Sequence, residues 1–417
     1  MTDESAALAY IKNHVQFSFK PRREIDIIVE RKFNQVLKDA SENCDFYKNT
    51  PIPFPFLTKE EVRGNIDTGL ISNKHIGHPC LVLDRTSGSL ADSVPFAYLR
   101  GFERYARMVL PFMINTQWKW GQRYCVLSTV HCSRDRCSTS DLPAYVDQVK
   151  IPTSDHIFTD QEVLEKAASV LNDNQKTIVH ADPFYLCAVA YYLDMNKKRL
   201  SLKGISSTYE LLTLPVQRYL ERIFQCRVFD CYGCSEFGPI AFGCEKDGKH
   251  VFEDSVFVEI VDQGRYLDGD VGEIVVTALE NPAMPLIRYR TGDLGKWITK
   301  PCGCGRTAKK IEIYGRKGQC ISFKGILYSE RDIARLMDIP GVLLYQLIQS
   351  PCHSRESGDF TFNILPEKGY AANGKRNKIG QEIKNRFGQL GTGHLSVVFV
   401  DHIEPEKSGK FKTVFIE

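Results

Sequence analysis

The stretch RVFDCYGCSEFGP occupies residues 227–239. Val228, Phe229 and Cys231 have the apolar character of a strand that fills a sheet. The pattern then breaks. Tyr232, Gly233, Ser235 and Glu236 present an aromatic ring, a bare backbone, a hydroxyl and an ionised carboxylate in quick succession. Taken alone, the stretch reads as a polar turn after a strand. The competing reading is a meeting with a nucleotide and its metal.

Similar runs recur upstream. "CLVLDRTSGS", "YCVLSTV", "TIVHADPF", "LKGISST" and "CRVFDCYG" each begin apolar and end in Ser, Thr, Gly or Asp. Helical patterns alternate with them. This is the rhythm of an α/β sheet that carries ligand-facing residues at the carboxyl ends of its strands. Before them, Ile25, Val29, Phe33, Val36 and Ala40 share one face of a helix predicted over 22–42. "TPIPFPFLTKEEV" then predicts a proline-rich connector, with Thr58 as N-cap and Glu61 three residues on. Over 250–300, "VFVEIVD", "GEIVVTAL" and "GKWIT" read as strands of a smaller β unit. After "IYGRKGQ" a helix–strand–strand–helix–strand order predicts a small α+β domain, expected to be ferredoxin-like. The expected division is a large domain over 1–316 and a small mobile one over 317–417, hinged near Lys317–Gln319.

Composition narrows the function classes. The 417 residues are 43% hydrophobic and 25% charged, an ordinary globular balance. A net charge of +3 gives no electrostatic case for nucleic acid as a partner. No apolar run is long enough to span a bilayer, so no membrane partner is expected. The first residues do not read as a secretory signal. The fourteen cysteines are scattered, and they are expected to be reduced thiols in the cytoplasm.

Three further stretches carry chemistry. "TSGSLADSVP" (86–95) follows a strand, and Thr86, Ser87, Gly88 and Ser89 offer N–H and hydroxyl groups to phosphate. In "YRTGDLG" (289–295) Asp293 can accept two hydrogen bonds, as adjacent ribose hydroxyls require. In "PEKSGKFKTVF" (405–415) Lys410 follows Ser-Gly. Each also has a plain reading, respectively a turn, an Asx-type turn residue and a surface lysine.

The order of these stretches adds what each lacks alone. The Ser/Thr/Gly loop, "STYE", "YGCSE", "YRTGD", "GRKGQ" and a final "SGK" resemble the acyl-adenylate-forming superfamily. Within it the chain is most similar to the phenylacetate–CoA ligase family, through "FPFLTKEEVRGN", "GEIVVTALENPAMPLIRYRTGDLG" and "CGCGRTAKKIEIYGRKGQCISFKG". The resemblance runs from residue 22 to 417. It implies that Tyr232 lies against adenine, that Gly233 lets backbone approach the ligand, and that Ser235 lines the phosphate or acyl side. It implies Mg²⁺ on Glu236, an adenine-side place for Glu210, ribose hydroxyls on Asp293 and nucleotide contact from Arg316. Lys410 becomes the mobile cation that bridges acyl carboxylate and α-phosphate. Ser206, Ser207, Thr208 and Phe237 are expected at the acyl group, with Phe184 and Tyr185 supplying flat apolar area. Gly325 in "SFKGILY" matches a glycine beside the pantetheine tunnel.

The chain also departs from the family. Leu90, Ala91 and Asp92 replace the Thr, Gly and basic part of the phosphate loop. Tyr209 adds bulk to the "GAEP" turn. Gly318 and Gln319 replace the acidic hinge pair. "HCSRDRCSTSD" replaces an aromatic-glycine stretch and brings His131, Cys132 and Cys137, which are left unassigned.

Cys244, His250, Cys302 and Cys304 form a candidate structural zinc set, since some members of the family carry the same pattern. The expected function is ATP-dependent activation of an aromatic acid to acyl-AMP. The acyl acceptor is coenzyme A, a carrier protein, an amine or a reductase. The altered loops suggest a specialised biosynthetic, antibiotic-type pathway and a planar polycyclic acid such as a phenazine carboxylate. The alternative is a member that binds nucleotide or aryl acid without turnover. A homodimer is one arrangement the sequence allows.

Overall fold

The computed structural model describes residues 4–86, 93–130, 147–350, 359–370, 372–390 and 394–416. The chain opens with α1 (Glu4–Phe17) and α2 (Arg22–Asn43), the latter burying Ile25, Val29, Leu37 and Ala40. α3 (Lys59–Asn65) starts with the capping box predicted at Thr58. Its hydroxyl accepts from Glu61 N at 3.2 Å, and the Glu61 carboxylate accepts from Thr58 N at 2.7 Å.

The strand predicted at "CLVLD" forms as β1 (Leu81–Arg85), but it does not join the main sheet. It pairs antiparallel with β2 (Pro95–Leu99) in a separate hairpin. Its burial explains this. Leu83 and Arg85 are exposed, so the strand has one wet face, which a strand inside a parallel sheet does not have.

After α4 (Glu103–Asn115) come β3 (Tyr124–Leu127), β4 (Gln148–Lys150), β5 (Ile178–Ala181), β6 (Gly204–Ser207) and β7 (Val228–Cys234). They pair in parallel in the order β4-β3-β5-β6-β7. The helices α5 (Gln161–Asp173), α6 (Pro183–Met195) and α7 (Leu214–Phe224) follow β4, β5 and β6. β3, β5 and β6 are buried along their whole length, as a sheet covered on both faces demands.

The β unit predicted over 250–300 is not separate. β7 turns antiparallel into β8 (Gly238–Gly243), and β9 (Lys249–Val251), β10 (Val256–Val261), β11 (Gly272–Ala278), β12 (Tyr289–Ile298) and β13 (Lys310–Arg316) continue the same sheet. Its eleven strands run β10-β11-β12-β13-β9-β8-β7-β6-β5-β3-β4. The handover rests on a close approach at Gly233, where a Cβ would lie 2.5 Å from the Gly238 carbonyl oxygen and 3.0 Å from Pro239 Cα. Both contacts are backbone, so no side chain fits there.

Beyond one turn at Lys317–Gln319, β14 (Ile321–Phe323) and β15 (Ile326–Tyr328) form a hairpin. Lys324 and Gly325 fill its turn with φ of +51° and +79°, the left-handed conformation such a turn needs. α8 (Glu330–Leu336), β16 (Val342–Ser350), β17 (Asp359–Pro366), α9 (Asn373–Gly388) and β18 (Leu395–Phe399) then appear in the predicted order, and β19 (Val414–Ile416) closes the chain. The sheet runs β18-β17-β16-β19, with β18 parallel to β17 and β19 parallel to β16. It is therefore not ferredoxin-like. α9 returns the chain directly beside β17, where a ferredoxin-like sheet would place an antiparallel strand between.

The small sheet has its own core of Ile321, Tyr345, Phe362, Ile383, Phe387 and their neighbours. Leu343, Leu344, Leu365, Ile403 and Phe411 point the other way and share a core with α5, α6 and α7. At the edges of this contact Arg222 pairs with Glu367 at 2.6 Å, and Lys368 donates to the Asp194 carbonyl at 2.8 Å.

Candidate active site

A cavity of about 420 Å³ opens at the carboxyl ends of the parallel strands. Thr86, Thr208, Tyr232, Gly233, Ser235, Glu236, Asp293, Arg316 and Lys410 all line it. A smaller cavity of about 130 Å³ adjoins and shares Tyr232, Gly233, Asp293, Arg316 and Lys410, with Glu210 in its wall. Residues far apart in sequence, including the terminal lysine, thus converge on one place.

Asp293 lies within β12, not in a tight turn. Gly292 has φ +78°, and four steps of β12 from Arg290 to Leu294 match two of β11 from Val275 to Glu273, so extra residues bulge there. The bulge aims the Asp293 carboxylate at β7. Tyr232 Oη donates to Asp293 Oδ2 at 2.8 Å, and Arg316 Nε lies 3.0 Å from Asp293 Oδ1. Asp293 holds Arg316 charged well beyond the usual guanidinium range. Glu236 is 6% exposed, and its Oε1 accepts from Tyr289 Oη at 2.6 Å.

Lys410 is held by what flanks it. Tyr185 Oη donates to the Gly409 carbonyl at 2.8 Å. Phe411 is 3% exposed and sits among Phe184, Tyr185 and Phe158, with centroid distances of 5.5, 5.2 and 5.9 Å. Phe184 and Tyr185 therefore pack on the lysine's own segment and do not line the large cavity, because α6 turns its first residues toward the small sheet. Ser206 and Ser207 are fully buried, and Ser206 Oγ lies 3.1 Å from His180 Nδ1. Phe237 is buried against Tyr289 in the core. These three stand behind the cavity wall, while Thr208 reaches it. Ser87, Gly88 and Ser89, with His131, Cys132 and Cys137, fall outside the described residues.

Two acids beside Lys410 carry unusual electrostatics. Asp182 caps α6, accepting from Phe184 N at 2.9 Å and Tyr185 N at 3.2 Å, while its Oδ2 has no hydrogen-bond partner among the described residues. Burial pushes its carboxyl up to about 7, against the two backbone donors and the Lys410 charge. Burial, then the nearby Asp182, pushes Glu210 well above the usual carboxylate range, and Lys410 pulls it back. Asp182 was missed in the sequence, although "HADPF" shows it as a helix cap before proline. His180 was not assigned a place there either, whereas Tyr209 was expected to add bulk near the acyl pocket or the adenine. His180 is held down to about 4 by burial, hence neutral at pH 7. Tyr209 adopts φ +76°, a strained setting for a side chain in the wall of both cavities.

The four candidate metal ligands also gather. Sγ of Cys244, Cys302 and Cys304 and a ring nitrogen of His250 lie within 4.8 Å of one another. Cys244 and Cys302 sulfurs are 3.6 Å apart, and Cys304 Sγ is 3.3 Å from His250 Nε2. A tetrahedron with Zn–S near ~2.3 Å has edges of roughly 3.8 Å, so the set fits a zinc-sized ion. His250 Nδ1 faces the Ala308 carbonyl at 2.9 Å, the outer contact that orients a ligating imidazole. A Cβ on Gly248 would lie 2.7 Å from Cys302 Sγ. The cluster joins the β8–β9 turn to the loop between β12 and β13.

No protein-family model matches the chain. The phenylacetate-coenzyme A ligase of Thermus thermophilus is 31% identical over 199 residues, 44% of each chain. The matched stretch thus spans less than half the length of that curated relative. A solved structure of 2-hydroxyisobutyryl-CoA ligase in the postadenylation state, in complex with R3-HIB-AMP, matches with a TM-score of 0.76 at 18% identity, covering 96% of this chain and 91% of that one. The same ligase in the thioesterification state, with 2-HIB-AMP and CoA, matches at 0.60 and 17% identity, with 96% and 91% covered. The fold is that of the adenylate-forming superfamily. Within it, this chain is a distant homologue of the phenylacetate–CoA ligases over about 40% of its length.

Proposed function

We propose that this protein activates an aryl carboxylic acid with ATP, releasing pyrophosphate, and then passes the acyl group to coenzyme A or another acceptor. The observation that carries the reading is the meeting of Lys410, from the small sheet's side, with Tyr232, Glu236, Asp293 and Arg316 in one cavity. Carboxylate attack on an α-phosphate brings two anions together, and an ammonium placed there offsets the charge that builds. Tyr232 offers its ring to adenine and Asp293 its carboxylate to ribose, with Arg316 yielding or sharing that carboxylate when nucleotide arrives. Glu236 would hold Mg²⁺, which supplies charge neutralisation at the phosphates.

The units over 1–316 and 317–417 are read as moving relative to each other about Lys317–Gln319. That motion withdraws Lys410 after adenylation and brings the Gly325 hairpin to the site. Cys244, His250, Cys302 and Cys304 are read as a structural zinc site. Among the described residues no helix is long and apolar enough to cross a membrane, and the chain is read as cytoplasmic. The substrate is read as a planar aryl acid, of phenazine-carboxylate type, in a specialised pathway.

A second reading is binding without turnover. It is favoured by the identities of Leu90, Ala91 and Asp92, a bulky residue and an acid in the sequence where the family's phosphate loop carries Thr, Gly and a basic residue; these positions lie outside the described residues. ATP–pyrophosphate exchange against a panel of aryl acids decides between the two. Acid-dependent exchange supports the enzyme, and magnesium-dependent ATP binding without exchange supports the binding protein.

A further inference from the structure

Arg104 stands at the start of α4 and faces the large cavity beside Tyr105, Met108, Pro111 and Phe242. A guanidinium keeps its charge in any protein setting. Other enclosed cations here have acids to match. Arg107 pairs with Glu280 at 3.2 Å, Arg306 with Glu245 at 2.9 Å, and Lys249 with Asp230. Arg104 has no such partner among the described residues. It donates to the Ser235 carbonyl, and its guanidinium lies over the rings of Tyr98 and Phe96 at 4.9 and 5.5 Å. Asp84, across the hairpin from Phe96, acts on it only from a distance.

Its place adds to the imbalance. A cation in the first turn of a helix faces the positive end of the helix dipole. Its stem packs closely on Gly238, where an added Cβ would lie 3.2 Å from Arg104 Cγ and Nε. One charged fork therefore sits between Ser235, two aromatic rings and Gly238, with donors left over after Ser235. A charge in that setting is stabilised by an anion or strong acceptor that arrives with a ligand. The neighbouring surfaces are flat and apolar, which suits the body of an organic acid better than a polyphosphate.

We infer that Arg104 is a specificity-determining residue that reads a second acceptor group, a carboxylate by preference, on the aryl acid at the end remote from the carboxyl being activated. The inference rests on the adenylation reading and adds the substrate class to it.

The test uses aryl acids that differ in one ring substituent, carboxylate, hydroxyl or methyl, in ATP–pyrophosphate exchange with the full chain. The parent should favour the ring-carboxylated acid over the methyl acid by about tenfold to a hundredfold in kcat/KM, as for one charge-assisted contact. Arg104→Met should bring that ratio close to one, and Arg104→Lys should restore part of it. Preference for the methyl acid overturns the inference. So does a rise in KM for ATP in Arg104→Met with the acid preference intact, which would assign the guanidinium to the nucleotide's phosphates. If no acid supports exchange, the adenylation reading fails on its own. Calorimetry then still decides the subsite. Binding of the ring-carboxylated acid that weakens at least tenfold in Arg104→Met upholds it, and equal or absent binding overturns it.

Discussion

The hydroxyl of Tyr185 donates to the carbonyl of Gly409 across 2.8 Å, so the first turn of α6 holds the residue before Lys410. Phe411, the residue after it, is enclosed by three rings of the same region. The lysine is thus clamped on both sides while its own side chain is left in the cavity. Tyr185→Phe keeps the ring and removes one hydrogen bond, worth about 1 kcal/mol or roughly fivefold in the docked population. Phe411→Ala removes the ring packing as well and should slow single-turnover adenylation by about tenfold or more. Tyr185→Phe should leave nucleotide affinity near the parent value, since Tyr185 lines neither cavity, whereas Phe411 reaches the wall of the smaller one. An unchanged adenylation rate in Phe411→Ala would show that the clasp does not position Lys410.

The four-ligand cluster predicts about one zinc per purified chain, read by metal analysis. Cys302→Ser combined with Cys304→Ser should lose that metal and melt at lower temperature, because forming the site is coupled to folding. Gly248→Ala should weaken metal retention too, as its Cβ would press on Cys302 Sγ at 2.7 Å. Metal-free parent protein that melts with the double variant would remove the zinc reading.

Asp182 gives a pH signature. Its folded carboxyl is raised to about 7 by burial. Between the ordinary carboxylate value near ~4 and that point, the native state holds a proton that the unfolded chain has released. Stability therefore falls as pH rises through this window and levels off above it. Asp182→Asn still caps α6, since Asn serves at that position, but it has no proton to exchange. Urea titrations from acid to neutral pH should show a flatter profile for the variant. Parallel profiles would mean the carboxyl ionises normally in the fold.

Much of this was legible because local patterns agreed with the global fold. The capping box at Thr58 and Glu61 and the order of α8, β16, β17, α9 and β18 are short-range signals, whereas the zinc set was carried by the family resemblance, since Cys-x-Cys is a poor zinc spacing alone. Sheet membership was not. β1 has the apolar character of a sheet strand, yet a nearby partner and an exposed Leu83 make it a hairpin. The β12 bulge at Gly292 reads as a turn in sequence because the same residues serve either geometry. Phe184 and Tyr185 looked like a substrate platform, since aromatic residues advertise contact area but not its occupant. Asp182 and Arg104 became conspicuous only when the unpaired Oδ2 of the one and the lack of an acid beside the other, among the described residues, could be seen, a property of three-dimensional surroundings that no local pattern encodes.

Lys410 separates the two half-reactions. It follows Gly409, whose φ of +77° belongs to a turn closed by Glu406 N donating to the Lys410 carbonyl at 2.8 Å and Gly409 N donating to the Glu406 carbonyl at 2.7 Å. The turn and the aromatic clasp set the backbone, so a substitution of the side chain changes charge with little change of fold. That charge is needed where the attacking carboxylate oxygen meets the α-phosphate, and much less in the ground state. Lys410→Ala should therefore lower adenylation on the order of a hundredfold or more, as removal of one preorganised donor does. Nucleotide binding should change little, because Tyr232, Glu236, Asp293 and Arg316 remain. With coenzyme A as acceptor, the variant given synthetic acyl-AMP should still form thioester at a near-parent rate. Lys410 also lowers the carboxyls of Asp182 and Glu210, so its loss should raise both and shift the pH dependence of stability upward. Adenylation by Lys410→Ala as fast as by the parent would end the mechanism proposed for this cavity.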